Sequence, residues 1–341
     1  MTQPNIYKNL PDHFLDCPAN RLIDIFNGPS LIHLKGKIDK PIFLATLLHG
    51  NEPTGLRAIQ KFLKNYFKNG QLETLPQSLI LFIGNVQAAQ QNLRLLPGQT
   101  DFNRIWNGGG STEHKMAQSV IDYAKKHNTF LSVDIHNTSG KNPHYGCVNL
   151  LDSKSVSLAQ LFSPTLIYFT EPHEVFSLAF SKFCPSITIE AGKPDDPNGE
   201  PHVLDFIKKL FKLKSIPDTF DHEKIKIFHS MARIKIPNGS RIGFHNQCNK
   251  TDFCFPEHLD SMNFKEFPAN TLLGWRNNPD LNLIVLDENN KNVEENYLDY
   301  VGKEIRLKRP VLPSMISTDE KIVLQDCLGY LMEPYPLPKN L

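Results

Sequence analysis

Residues 41–55 read PIFLATLLHGNEPTG. An apolar run of strand length ends at Leu48, and a polar loop follows it over residues 49–54. Apolar side chains then recur at helical spacing over residues 55–67. The stretch therefore predicts a strand, a loop and a helix. In α/β proteins the loop at the carboxyl end of such a strand is where ligands bind.

The same alternation continues along the first two-thirds of the chain. Short apolar runs predict further strands at residues 79–83, 130–135 and 186–189. Helical spacing of apolar residues predicts helices at residues 116–125 and 203–211. Strands interleaved with helices indicate an α/β fold, in which helices cover both faces of a sheet.

The pattern changes after about residue 220, where Pro, Asn, Asp and Gly separate short strand candidates. These candidates are residues 225–228, 232–236, 281–286, 304–307 and 321–323. We therefore predict two domains, a larger one over residues 1–215 and a smaller β-rich one over residues 216–341.

Composition and net charge limit the kinds of partner that we expect for this chain. With 40% hydrophobic and 21% charged residues, the 341-residue chain can build a packed core. Its formal net charge of +1 gives no electrostatic reason to expect nucleic acid or an anionic membrane. No apolar run approaches the roughly 20 residues of a membrane helix, no secretory signal is apparent, and the six scattered cysteines indicate mostly reduced thiols. We expect a cytoplasmic protein without nucleic-acid or membrane partners, and its oligomeric state, a homo-oligomer included, stays open.

A set of metal-ligand residues occupies the predicted strand ends. His49 and Glu52 lie three residues apart in one turn, so an imidazole and a carboxylate can face one ion, a set that suits Zn²⁺. A catalytic zinc keeps three protein ligands and one open position. Asp134 and His136 alternate with apolar neighbours and therefore face the same way at a strand end. We predict one Zn²⁺ per chain, held by His49, Glu52 and His136.

A further carboxylate, Glu190, ends the apolar run of residues 186–189 and precedes Ala191 and Gly192. Small following residues would let a substrate come close. Taken alone, a glutamate at this position is more often a helix N-cap or a surface residue. Beside a zinc site it fits a general base that takes a proton from the attacking water and passes it to the leaving amine.

Two arginines could bind the substrate. The sequence Asp101-Phe-Asn103-Arg104 places a guanidinium beside an amide, a combination suited to a carboxylate. Arg94, slightly upstream, could stabilise an oxyanion. The alternative for each arginine is an ordinary solvated surface residue.

Another group of potential ligands, His245, Cys248, Cys254 and His258, has five residues between its cysteines. This spacing is unlike that of a short zinc knuckle. We interpret the group as a polar loop with two thiols.

Five segments carry a family resemblance: HGNEPTG, NVQAAQQNLR, DFNR, DIHNTSG and ITIEAG, in this order. They resemble the aspartoacylase and succinylglutamate desuccinylase family, which belongs to the zinc carboxypeptidase-like hydrolases. The resemblance covers roughly residues 40–200. It implies a central mixed sheet flanked by helices and a zinc-dependent hydrolase that cleaves the amide bond of an N-acyl amino acid.

The resemblance also implies roles at matching positions. His49, Glu52 and His136 would bind zinc, Glu190 would act as general base and acid, and Arg94 would polarise the scissile carbonyl. The stretch from Arg94 to the DFNR segment is longer than the family pattern.

The resemblance assigns the remaining positions to substrate and support. Asn103 and Arg104 would bind the α-carboxylate of the substrate, and Asn137 would help to shape its pocket. Asp101 would orient a ligand imidazole, as metal sites generally require.

The predicted function is therefore an N-acyl amino acid deacylase. The first alternative is a metallocarboxypeptidase that acts on short peptides with the same metal and base. A second alternative is a non-catalytic binding protein with this fold. Such a protein would have little need for Glu190 in addition to three ligands.

Overall fold

The computed structural model describes residues 2–245, 248 and 250–337. The chain forms two compact units. The first comprises Met1–Asn137, His144–Lys226 and Leu337–Leu341, and the second comprises Thr138–Pro143 and Ile227–Pro336. A boundary between functional domains at residue 216 stays a prediction. Among the described residues, no helix is both long and apolar enough to cross a membrane.

The first unit combines strands with helices. Its strands are β1 (Asn5–Tyr7), β2 (Ser30–Leu34), β3 (Gly36–Thr46), β4 (Phe67–Lys68), β5 (Gln71–Leu72), β6 (Leu75–Ile83), β7 (Leu131–His136), β8 (Tyr145–Val148), β9 (Thr165–Tyr168) and β10 (Ser186–Glu190). Its α-helices are α1 (Thr54–Lys64), α2 (Val86–Gln90), α3 (Thr112–Lys126), α4 (Ser153–Gln160), α5 (Phe176–Ser181) and α6 (Gly199–Leu210). Short 3₁₀ turns lie at Phe14–Asp16, Ala19–Asp24 and Phe102–Arg104.

The sheet of this unit runs in the order β1-β2-β6-β3-β7-β10-β8-β9. Its central strands β6, β3, β7 and β10 are mutually parallel. Strand β2 is antiparallel to β6, and β8 is antiparallel to β10. The sheet is therefore mixed, as predicted.

Helices cover both faces of this sheet. Phe43 and Ala45 of β3 share a core with Phe176 and Phe180 of α5 and with residues of α3. On the other face, a Cβ atom at Gly55 of α1 would lie 2.8 Å from Ile135 Cγ2, so the helix backbone lies directly against the sheet. Residues 42–45 are all fully buried, which explains why β3 reads as a continuous apolar run. The predicted fold class is confirmed.

The second unit is rich in short strands. They are β11 (Lys226–Lys235), β12 (Ile242–Phe244), β13 (Phe253–Phe255), β14 (Leu272–Arg276), β15 (Ile284–Asp287), β16 (Leu298–Val301), β17 (Glu304–Leu307), β18 (Leu312–Ser314) and β19 (Gly329–Pro334). Helices α7 (Glu294–Tyr297) and α8 (Glu320–Gln325) and a 3₁₀ turn at Leu259–Met262 interrupt them. One sheet has the order β12-β13-β14-β17-β16, while β11 pairs with β15 and β19, and β18 pairs with β19.

Two local predictions in this unit were wrong. Residues 321–323 lie in helix α8, because the Asp319 side chain accepts hydrogen bonds from the Lys321 and Ile322 amides and thereby caps a helix. Cys248 and Cys254 form a disulfide, so the interpretation of this group as a loop with two thiols is wrong.

Candidate active site

The sheet brings the predicted site residues together at one edge. His136 ends β7 and Glu190 ends β10, and the two residues are register partners in adjacent parallel strands. His49 and Glu52 lie in the loop that joins β3 to α1, and β3 is the other neighbour of β7. Carboxyl ends of parallel strands meet at the same edge, so four residues distant in sequence converge.

Three buried side chains form a potential metal site. Glu52 Oε1 lies 2.8 Å from His49 Nδ1, and Glu52 Oε2 lies 2.8 Å from His136 Nδ1. One ligand atom from each residue lies within 4.8 Å of the others. Two imidazole nitrogens and a carboxylate in this arrangement can hold a metal ion.

Each histidine is fixed through its second ring nitrogen. His49 Nε2 lies 3.0 Å from Asp101 Oδ1, and His136 Nε2 lies 2.7 Å from Asp134 Oδ2. A carboxylate in this position sets the tautomer of a metal-binding histidine and directs its other nitrogen to the ion. The family resemblance implies such a role for Asp101 but none for Asp134, which the alternation of residues 133–136 only predicts to face the same way as His136.

The three residues shift one another's pKa values. Burial acts to lower the pKa of His136, but Asp134 and Glu52 outweigh it and hold this pKa well above its ordinary value. Burial acts to raise the pKa of Glu52, whereas His49 and His136 hold it below the ordinary value. Without an ion, the two carboxylates therefore favour the protonated form of His136.

The pKa of Glu190 is shifted in the opposite direction to that of Glu52. Burial raises its pKa to about 8; His136 opposes this effect and Glu52 reinforces it. Among the described residues, its buried Oε2 atom has no hydrogen-bond partner. A carboxylate that changes charge near neutral pH, with a free oxygen beside a metal site, has the properties of a general base.

Arg94 and the DFNR segment also reach this edge. Arg94 Nη2 donates to Asp101 Oδ2 over 3.1 Å, and Arg94 Nη1 lies 3.8 Å from Glu52 Oε1. Asp101 Oδ1 also accepts from the Asn103 amide over 2.7 Å, which caps the turn that carries Asn103 and Arg104. Asp101 thus connects His49 to the residues expected to bind substrate.

Asn137 makes three hydrogen bonds that link separate segments of the site. Its backbone N–H donates to Glu52 Oε2 over 3.1 Å, and its side chain accepts from the Thr54 amide and donates to the Gly192 carbonyl. These contacts join the loop that carries His49 and Glu52, the start of α1 and the segment after Glu190. A direct contact of Asn137 with substrate stays a prediction.

Comparisons with known proteins agree with this picture. Residues 40–198 match the succinylglutamate desuccinylase/aspartoacylase catalytic domain. The solved structure of the succinylglutamate desuccinylase from Chromobacterium violaceum is 18% identical, with a TM-score of 0.53 over 89% of this chain and 87% of that one. The succinylglutamate desuccinylase/aspartoacylase from Rhodobacter sphaeroides is 16% identical, with a TM-score of 0.59 over 90% and 89%. Murine aminoacylase 3 is 14% identical, with a TM-score of 0.52 over 88% and 96%. No curated protein sequence matches the chain.

At these identities the solved structures show a shared fold. The fold and the matched segment define a catalytic domain of the hydrolase class, with its His-Glu-His set at the sheet edge. Residues 40–198 match the catalytic domain of the succinylglutamate desuccinylase/aspartoacylase family, as the sequence motifs predicted.

Proposed function

We propose that this protein is a zinc-dependent amidohydrolase that removes the acyl group from an N-acyl amino acid. The observation that carries the proposal is the convergence of the buried His49-Glu52-His136 set with Glu190 at adjacent strand ends. The names of the structural neighbours, which include a desuccinylase and an aminoacylase, support this reaction class.

The donor set fits zinc. The Nε2 atoms of His49 and His136 contact the carboxylates of Asp101 and Asp134. Both Nδ1 atoms therefore face Glu52 and the ion position. When bound there, zinc would polarise the substrate carbonyl and acidify water.

The remaining chemistry is assigned to the chain's own residues. Glu190 takes a proton from the attacking water on its free Oε2 atom and delivers it to the nitrogen of the leaving amine. Arg94, held next to Glu52 by Asp101, donates hydrogen bonds to the carbonyl oxygen as it gains negative charge. Burial of these groups strengthens each electrostatic interaction.

The amino-acid end of the substrate is assigned to Asn103 and Arg104. The proposed substrate is a small molecule, and the proposed location is the cytoplasm. A short peptide with a free carboxyl terminus could use the same residues, so a metallocarboxypeptidase is the alternative outcome of the test.

The decisive assay is hydrolysis by zinc-loaded protein of N-acetyl and N-succinyl amino acids, with short peptides beside them. We expect release of amine from the acyl amino acids. Cleavage of peptides alone would assign the protein to the carboxypeptidases, and no hydrolysis of either group would contradict the proposal.

Substitution of Arg104 by lysine tests the substrate carboxylate contact. Lysine keeps the charge but loses the two-pronged donor geometry, so we expect KM to rise about 10- to 100-fold with little change in kcat. Arg21→Lys, at a largely exposed side chain of the same unit, provides the control. An unchanged KM would remove Arg104 from the substrate site.

Metal uptake should release protons. Because the pKa of His136 is held well above its ordinary value, a metal ion must compete with a proton for this imidazole. Zinc affinity should therefore rise as the pH increases toward the raised pKa of His136. Titration calorimetry in two buffers with different ionisation enthalpies measures the released protons. Identical binding enthalpies in both buffers would contradict the prediction.

A further inference from the structure

The segment that follows Glu190, residues 191–198, is hydrogen-bonded to His136, to its neighbour Asn137 and to helix α1, which follows the loop of His49 and Glu52. The Ala191 amide donates to the His136 carbonyl over 3.0 Å. The Gly192 carbonyl accepts from Asn137 Nδ2 over 2.9 Å, and the Pro194 carbonyl accepts from Arg57 Nη2 of α1 over 2.8 Å. The position of this segment is therefore linked to that of the site.

A fourth connection comes from an ion-pair geometry not used in the proposed reaction. His144 Nε2 lies 2.9 Å from Asp196 Oδ2. The pair lies directly over Gly192, because a Cβ atom there would be 2.8 Å from Asp196 Oδ2 and 3.1 Å from His144 Nε2. Gly192 has a φ of 70°, so both its conformation and this close approach require glycine.

The pair also links the segment after Glu190 to the start of strand β8. His144 directly precedes Tyr145, which is the antiparallel register partner of Glu190. The His144 carbonyl accepts from Ser163 Oγ over 2.8 Å, which fixes its backbone. Asp196 is held too, since its Oδ1 atom accepts from the Asn198 amide over 2.9 Å. Glu190 is thus restrained both by the segment that follows it and by the neighbouring strand β8.

We infer that His144 and Asp196 are positioning residues that hold the 191–198 segment, and through it Glu190, in the geometry needed for proton transfer. This inference rests on the proposed function of Glu190. Among the described residues, no hydrogen bond or ion pair joins this pair to the ligand residues or to Glu190, so its loss should slow the reaction without weakening metal binding.

The chain offers a matched control. His229 Nε2 lies 2.8 Å from Glu288 Oε1, with side-chain exposures of 13% and 28%, against 16% and 27% for His144 and Asp196. The control pair belongs to the second unit. Glu288→Gln therefore reports the cost of losing a similar pair elsewhere.

The test compares His144→Phe and Asp196→Ala with Glu288→Gln. We expect kcat to fall about tenfold in the first two variants, with KM and zinc content unchanged, because small displacements of a catalytic group are costly. His144→Gln, which keeps a donor near the Nε2 position, should restore most of kcat. Hydrogen exchange at the Ala191 amide should speed up in the two impaired variants and stay slow in the control.

A purely structural pair gives a different result. If His144→Phe and Asp196→Ala lower only the melting temperature, as Glu288→Gln does, and leave kcat unchanged, the inference is overturned. Unchanged exchange at Ala191 would overturn it as well. Wild-type protein inactive on every substrate would instead contradict the proposed function, and the exchange experiment separates these two failures.

Discussion

Glu190→Gln should lower kcat by about 10²- to 10⁴-fold, the range expected for loss of a general base. Glutamine has nearly the same shape as glutamate but cannot take a proton from water. Glu190 is not one of the three side chains grouped around the ion position, so zinc content should stay at one equivalent. Steady-state kinetics with metal analysis measures both quantities, and Glu223→Gln, at an exposed position of the same unit, is the control.

The same variant should gain stability without metal. Burial raises the pKa of Glu190 to about 8 in the folded state, above its ordinary value of 4.5, so folding disfavours the charged form. The contribution of this carboxyl to stability is fully present below pH 4.5 and is lost as pH rises through 8. Glutamine stays neutral, so metal-free Glu190→Gln should melt above wild type at pH 9 and close to it at pH 5.

Either half of this prediction can fail separately. A kcat within about threefold of wild type would show that Glu190 is not the base, since loss of a base costs far more. A wild-type melting temperature that rises between pH 5 and pH 9 relative to Glu190→Gln would contradict the raised pKa instead.

Four of the predicted site residues could be located from the sequence because each one follows or ends an apolar run of strand length. His49 and Glu52 follow an apolar run directly, and His136 and Glu190 end two others, so local patterns are enough to place them. Their convergence follows from the parallel order of β3, β7 and β10, a general property of α/β sheets.

The sequence could not show contacts that depend on register between distant segments. Strand β8 lies antiparallel to β10, and only this pairing brings His144 near Asp196 and Tyr145 beside Glu190. The bracing role of Asn137 likewise depends on three separate elements. Short-range spacing carries no information on such pairings.

The second unit was harder to predict because its elements are short. Residues 321–323 combine apolar and charged side chains over a span that suits a strand or one helical turn, and the cap at Asp319 decides between them. Likewise, Cys248 and Cys254 are six residues apart, and nothing in that spacing indicates a disulfide.

His136→Ala should abolish stable metal binding. The substitution removes one of three donors, and it also leaves Asp134, which is fully buried, without the imidazole that partners Oδ2. Because loss of a supporting residue alone costs metal sites about 10- to 100-fold in affinity, we expect loss of a ligand to exceed 100-fold. The unpaired buried carboxylate should also lower the melting temperature of the metal-free variant.

Competition with a chelator of known affinity measures this loss. His33→Ala is the matched control, because His33 is similarly buried (6% exposed) in the same unit but is not among the three grouped side chains. The control should lose packing but keep wild-type zinc affinity, whereas Asp134→Asn should fall between the two, since it removes only the support of His136. A full equivalent of zinc held by His136→Ala at unchanged affinity would exclude His136 as a ligand. Binding at Glu52 would then have to be completed by another side chain, and the proposed position of the substrate relative to Glu190 would change with it.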